Sequence, residues 1–199
     1  SEEPAPISVI QAEDRSMALN TIVTAFTADP LLRWMVPDAD KYIRYGAALF
    51  EAFGGGAFDA HTAFQIQDFA GVALWIPPSN AKHSDEHGQG FSQQFLQAVD
   101  QARLEPISDV LRGMRAYHPK EECWYLSLIG VDPCHQGRGL GARLMKHALN
   151  LCDDDGLPAY LESSNPANIA LYERFGFEVM GLIQSQSSPA IHPMIRTAR

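Results

Sequence analysis

The sequence predicts a mixed α/β fold, a mostly antiparallel sheet of six to seven strands with helices on both faces. Three observations carry that prediction. An apolar, β-rich run at residues 124–131 passes through Asp132 and Pro133 into a glycine-rich turn and then a helical pattern. A second strand-like run, residues 158–163, follows that helix, and two strands joined by a helical crossover lie parallel. Upstream, residues 61–67 and 71–76 alternate as strands around a three-residue break, the pattern of an antiparallel hairpin.

Taken in order, residues 1–6 combine two acids with two prolines and read as loose, and residues 7–10 alternate as a first strand. Asp14 then caps a helix with apolar positions Met17, Ile22, Val23 and Phe26, which stops before Asp29 and Pro30. Residues 31–37 read as an aromatic-containing connector. A second helix starts at Asp40 and carries Tyr42, Ile43, Tyr45, Ala47, Leu49, Phe50 and Phe53 toward Gly54, Gly55 and Gly56. Because no helix pattern begins after the triple glycine, it reads as a helix stop and loop rather than a phosphate cradle.

The hairpin follows and ends at Pro77 and Pro78. Residues 83–87 then match the H-x-x-E-H pattern of some zinc peptidases, with His83, Glu86 and His87. That motif works only on a helix, and its flanks hold prolines and glycines without apolar periodicity, so the expectation is a solvated loop and no metal site. Residues 91–103 and 106–118 each carry helical periodicity, with Pro106 opening the second helix and Pro119 following it.

Beyond the glycine turn, Leu140, Leu144, Met145, Ala148 and Leu151 mark the sheet-facing side of a helix closed by residues 153–156. After the strand at 158–163 come a short helix over 168–175 and a closing antiparallel pair, 177–185 with 190–196.

The glycine turn is the stretch with chemistry written into it. A helix's first turn presents unpaired N–H groups and the positive end of its dipole, which together hold phosphate. Gly137, Gly139 and Gly141 let the backbone approach an anion, and Arg138 adds a cation. The spacing G-x-G-x-G is not the dinucleotide fingerprint, and Asp153, Asp154 and Asp155 come too early for the acid that site places about 20 positions on. No Gly-Lys-Ser/Thr follows, which removes a Walker loop.

The run QGRGLG at 136–141 matches the Q/R-x-x-G-x-G/A pyrophosphate loop of the GNAT superfamily of acetyl-CoA-dependent N-acetyltransferases. The run LESSNPANIALYERFGFEVMG at 161–181 is similar to the family's next strand, its Asn-containing turn, a tyrosine-bearing short helix and the Gly-Phe entry to the final hairpin. With both motifs in order, the chain resembles that superfamily, and within it the small-molecule branch that includes puromycin-type acetyltransferases. The resemblance implies one domain over 1–199, with residues 122–199 as the acetyl-CoA-binding core and 1–121 supplying acceptor-site helices. It also implies that the sheet splits between its two central parallel strands, that pantetheine lies in the split, and that Gly130 permits the bulge that splays them.

The implied reaction is acetyl transfer from acetyl-CoA, the donor cosubstrate, to an amine of a small molecule or peptide, by direct attack through a tetrahedral intermediate. Backbone N–H groups near Ile129, Gly130 and Val131 would polarise the thioester oxygen. Gln136, Gly137, Arg138, Gly139, Leu140, Gly141 and Ala142 would form the pyrophosphate loop, with Arg143 a further phosphate candidate. Tyr172 matches the general-acid tyrosine, and Asn168 would bind the pantetheine amide or cap the short helix.

The base is less direct. Some members of the family place Glu or His on the cofactor strand, but Tyr125 and Ser127 stand at the matching positions. Glu162 is the best remaining candidate, since a carboxylate within a buried strand is expected to be paired or to have a raised pKa. A structural ion pair and a water relay are the alternatives. The missing base also keeps open a different class, a non-catalytic acyl-CoA-binding module.

Composition narrows the partners. An apolar content of 46% with 20% charged residues is ordinary for a globular chain, and a net charge of −9 argues against nucleic acid and anionic membrane while suiting a cationic amine. Three cysteines without C-x-x-C spacing give neither a disulfide framework nor a zinc ribbon. The first ten residues lack the regions of a signal peptide and no run approaches 18 apolar residues, so a cytoplasmic monomer or homodimer is the expectation.

Overall fold

The computed structural model describes residues 5–78 and 92–199. The H-x-x-E-H pattern at 83–87, residues 1–4 and Phe91 lie outside them. The described chain forms strands β1 (Ile7–Val9), β2 (Ala63–Ile66), β3 (Gly71–Ile76), β4 (Trp124–Val131), β5 (Ala159–Ser163), β6 (Glu178–Val179) and β7 (His192–Arg196). Helices α1 (Arg15–Ala25), α2 (Pro30–Met35), α3 (Ala39–Gly54), α4 (Gly56–Asp59), α5 (Gln93–Ala98) and α6 (Leu104–Tyr117) precede β4, while α7 (Leu140–Asp154) and α8 (Ile169–Arg174) follow it.

The strands make one seven-stranded sheet in the order β1-β2-β3-β4-β5-β7-β6. Only β4 and β5 run parallel; the other neighbours are antiparallel. This is the mixed, mostly antiparallel sheet that the alternation and the helical crossover predict. Two apolar cores cover it. One joins the sheet to α1, α2, α3, α5 and α6, and the other joins it to α7 and α8.

The parallel pair is short. Trp124 pairs with Ala159 and Tyr125 with Tyr160, and the ladder stops there. Past those two pairs the strands part, so β4 from Leu126 onward has β3 on one edge and a gap on the other. The expected split is therefore present, but its bulge is not at Gly130. The β3–β4 register shifts between Leu74 and Trp75, leaving Ser127 as the extra residue on β4. The Ser127 hydroxyl donates to the Leu74 carbonyl at 2.9 Å, so the side chain satisfies a ladder acceptor at the irregularity. Gly130 has another reason to be glycine: a Cβ there would lie 2.6 Å from the Ala25 methyl of α1. The missing side chain lets the helix lie close on the strand.

Other elements also depart from the expectation. Residues 31–37 are mostly helix rather than connector, because Asp29 caps α2 by accepting from the Leu31 and Leu32 amides and Pro30 occupies the first helical position. In α1 the buried residues are Ala18, Leu19 and Ile22, whereas Met17 is half exposed. The triple glycine does not end in a loop. Gly54 closes α3 against the sheet, where a Cβ would meet the Ser127 hydroxyl at 2.8 Å, and a short helix, α4, starts at Gly56. The periodic run after Phe91 breaks at Asp100, which caps a separate 3-10 turn.

Candidate acyl-donor and acceptor site

The loop from β4 to α7 is built largely from backbone. Asp132 caps a 3-10 turn, Pro133–His135, by accepting from the Cys134 amide at 2.8 Å. Gln136 folds back so that its side-chain amide donates to the Val131 carbonyl at 3.2 Å. Gly137 and Gly139 then take φ of +77° and +76°, the left-handed region that glycine enters without penalty. A Cβ on either would meet nothing within 4 Å, so conformation rather than crowding sets the requirement.

Gly139 is the N-cap of α7 and brings no side-chain acceptor to the helix's first turn. The Leu140, Gly141 and Ala142 amides are thus at the open positive end of a fifteen-residue helix, the arrangement that takes an anion. Arg138 is exposed between the glycines. Arg143 is engaged elsewhere, donating to the Ala5 carbonyl ahead of β1.

The gap beside β4 leads away from this loop. Asp132 donates its amide to Ala70 on the β3 side, and amides alternate in direction along a strand, so those of Ile129 and Val131 point into the gap. Gly130 points its amide toward β3 by the same alternation.

On the side of the sheet opposite α7, the two closely paired residues and their neighbours form a polar and aromatic cluster. The Tyr125 hydroxyl donates to Glu162 Oε1 at 3.3 Å. The His118 ring sits edge-on to the rings of Tyr125 and Tyr160, 5.0 Å from each. Tyr160 is fully buried, and its hydroxyl has no hydrogen-bond partner among the described residues. Burial pushes the Glu162 carboxyl up to about 8, against the lowering effect of its bond from Tyr125. The same burial, with the nearby Glu162 charge, pushes the Tyr125 phenol far above its ordinary range. Among the described residues no arginine pairs with Glu162; its partner is Tyr125, at one of the two strand positions where some family members carry a base.

Tyr172 lies on α8, within the core on the α7 side and edge-on to Phe177 with ring centroids 6.1 Å apart. Burial first, and then the charge of Asp29, raise its phenol to about 12. Tyr172 and Glu162 therefore occupy opposite sides of β5. Asn168 is exposed and does not cap α8 with its side chain; Asn165 caps the preceding turn by accepting from the Ala167 amide at 3.1 Å. Of the two roles open to Asn168, capping is removed.

Sequence reasoning missed Asp29 altogether as a site residue. It is 8% exposed, caps α2 with one oxygen and accepts from Ser164 with the other. The Asp-Pro pair reads in the sequence as the end of the first helix, and nothing local signals a contact 135 residues away.

With a split sheet, an anion-ready helix start and a tyrosine-bearing helix established, comparison with known proteins finds that residues 92–177 match the acetyltransferase (GNAT) family profile. Over that stretch the chain is similar to the GNAT family. Across a longer span, the chain is 28% identical over 187 residues to an uncharacterised N-acetyltransferase of Schizosaccharomyces pombe, covering 84% of this chain and 72% of that one. The GNAT fold extends over nearly the whole chain: a histone acetyltransferase HPA2 and related acetyltransferase from Corynebacterium glutamicum superposes with a TM-score of 0.69 at 23% identity, covering 99% and 98% of the two chains. Arylalkylamine N-acetyltransferase 2 from Aedes aegypti superposes with a TM-score of 0.66 at 13% identity, covering 99% and 100%. None of these three is named as a puromycin-type enzyme, so that branch gains no support from them. Among the described residues no helix is long and apolar enough to cross a membrane.

Proposed function

We propose that this chain is a GNAT-type enzyme that transfers an acetyl group from acetyl-CoA to the amine of a small molecule. The observation that carries the reading is the gap beside β4, which has an open helix start at one end and a half-buried carboxylate beside its apex. The residues present suit acetyl-CoA. The open amides of Leu140, Gly141 and Ala142, with Arg138, would take the pyrophosphate, and the Ile129 and Val131 amides would hold the thioester oxygen as negative charge develops on it. Asn168, with its side chain uncommitted to the helix cap, would bind the pantetheine amide.

In this reading the amine attacks the thioester carbon, a tetrahedral intermediate forms, and the carbon–sulfur bond breaks. Tyr172 protonates the departing sulfur, and its raised pKa keeps the phenol protonated over the working range. Glu162 accepts the amine proton in its ionised form, which means above about pH 8. Tyr125, donating to Glu162, orients that carboxylate rather than acting as the base itself.

The arylalkylamine enzyme among the structural neighbours is consistent with a small-molecule acceptor, as is the negative net charge of this chain. A screen of amines with acetyl-CoA, reading released thiol, tests the proposal. Turnover with one class of amine is the expected result. Tight acyl-CoA binding without turnover for any amine would establish the non-catalytic binder instead.

A further inference from the structure

Asp29 is a helix cap with more in it than capping needs. Its Oδ1 accepts both cap bonds, from the Leu31 and Leu32 amides, each at 3.0 Å. Its Oδ2 is left for Ser164, whose hydroxyl donates to it at 2.6 Å, a length in the range of charge-assisted O–H···O⁻ bonds. Serine or asparagine would cap α2 about as well, and removing a carboxylate from water is costly. The charge and the second oxygen therefore serve the contact with Ser164.

That contact joins two parts of the fold that the gap separates. Ser164 immediately follows β5 and begins the turn leading through Asn168 to Tyr172. Asp29 belongs to the α1–α2 corner, and α1 lies against β4 at Gly130. A closed circuit results: from the Tyr125–Tyr160 pair along β5 to Ser164, across to Asp29, through α1 to β4, and back down β4 to Tyr125. The gap is bounded on its far side instead of open. The influence of the Asp29 charge on Tyr172 is consistent with the circuit, since it places the corner near the phenol.

We propose that Asp29 and Ser164 form a clasp across the gap, a pair of positioning residues that holds the acceptor-side helices in register with the turn carrying Asn168 and Tyr172. The clasp rests on the acetyl-transfer reading for its purpose but not for its existence. Amide hydrogen exchange on the wild type, Ser164→Ala and Ser164→Thr, with and without acetyl-CoA, measures it directly. Ser164→Ala is expected to speed exchange about fivefold in both segments, residues 31–32 and 165–172, while Ser164→Thr, which keeps the hydroxyl, exchanges as the wild type does.

With an accepted amine, Ser164→Ala should lower kcat/KM for that amine about tenfold, with acetyl-CoA affinity unchanged within about twofold, and Ser164→Thr should restore it. Unchanged exchange in either segment overturns the clasp. Loosened exchange with wild-type kcat/KM overturns its positioning role. A wild type that acetylates nothing fails the functional reading instead, and the exchange comparison still decides whether the two segments are coupled.

Discussion

The two ends of the gap use opposite chemistry. At the α7 end the available donors are backbone amides behind glycines, in the open, with no side chain within 4 Å of where a Cβ on Gly137 or Gly139 would be. At the Glu162 end the groups are side chains, half-buried and packed against one another, with acidities moved far from ordinary values by their desolvation. A backbone site tolerates exposure because its donors are fixed by main-chain conformation. A side-chain site needs burial to fix its groups, and burial sets when they ionise.

The contrast is broken most severely by Gly139→Asp. An aspartate at the cap of α7 adds a negative charge and some backbone strain where φ is +76°, yet meets no neighbour. The variant should remain folded and lose the melting-temperature rise that acetyl-CoA gives the wild type; an undiminished rise would remove the loop from the donor site. Next in size, Tyr172→Phe should lower the single-turnover acetylation rate on the order of 10²-fold and leave acetyl-CoA affinity intact, since the ring and its contact with Phe177 survive. A wild-type rate would mean that the sulfur leaves without this phenol.

Glu162→Gln should lower turnover by about tenfold at pH 8.5 and have little effect at pH 6, where the wild-type carboxyl is already protonated. The factor is modest because an amine of pKa about 10.4 already has some neutral fraction at that pH. The same group leaves a mark on stability. Its folded pKa, about 8, exceeds the ordinary 4.5, so the folded state holds the proton more tightly and wild-type stability falls as pH rises from 4.5 to 8. Denaturant melts across that window should show the slope in the wild type and a flatter profile in the glutamine variant. Parallel profiles would mean that Glu162 ionises normally.

The smallest expected effect is that of Gly130→Ala, which forces α1 off β4 and should cost roughly 1–3 kcal/mol in denaturant melts, the range of overpacking. Unchanged stability would show that the helix can retreat freely.

The same contrast explains what the sequence disclosed. The strand, the glycine loop and α7 are contiguous, and Gly137 and Gly139 each report a local backbone need, so the open helix start was legible in the spacing. Glu162 was legible as a buried carboxylate, but its partner was not, because Tyr125 is 37 residues away and meets it only through the parallel pairing. A glutamine effect at low pH would have followed from the amine's own ionisation; the buried carboxyl moves it to high pH. The bulge was misassigned because a strand glycine has two explanations, irregular backbone and close approach, and at Gly130 the second holds while Ser127 takes the first. Helix α2 was hidden by an aromatic run whose start signal, Asp29 with Pro30, was read as the end of α1.

The two residue pairs that close the β4–β5 ladder also define how this sheet would respond to load. Strands β1 to β4 form one plate and β5 to β7 another, and among the described residues the ladder between them consists of Trp124–Ala159 and Tyr125–Tyr160. Tension applied across that seam meets two rungs, whereas every other seam between long strands meets four or more. The sheet is in this sense a hinge with its pin at one end and the Asp29–Ser164 contact as a latch at the other, and a ligand bridging the gap by backbone-like hydrogen bonds would act as the missing stitches.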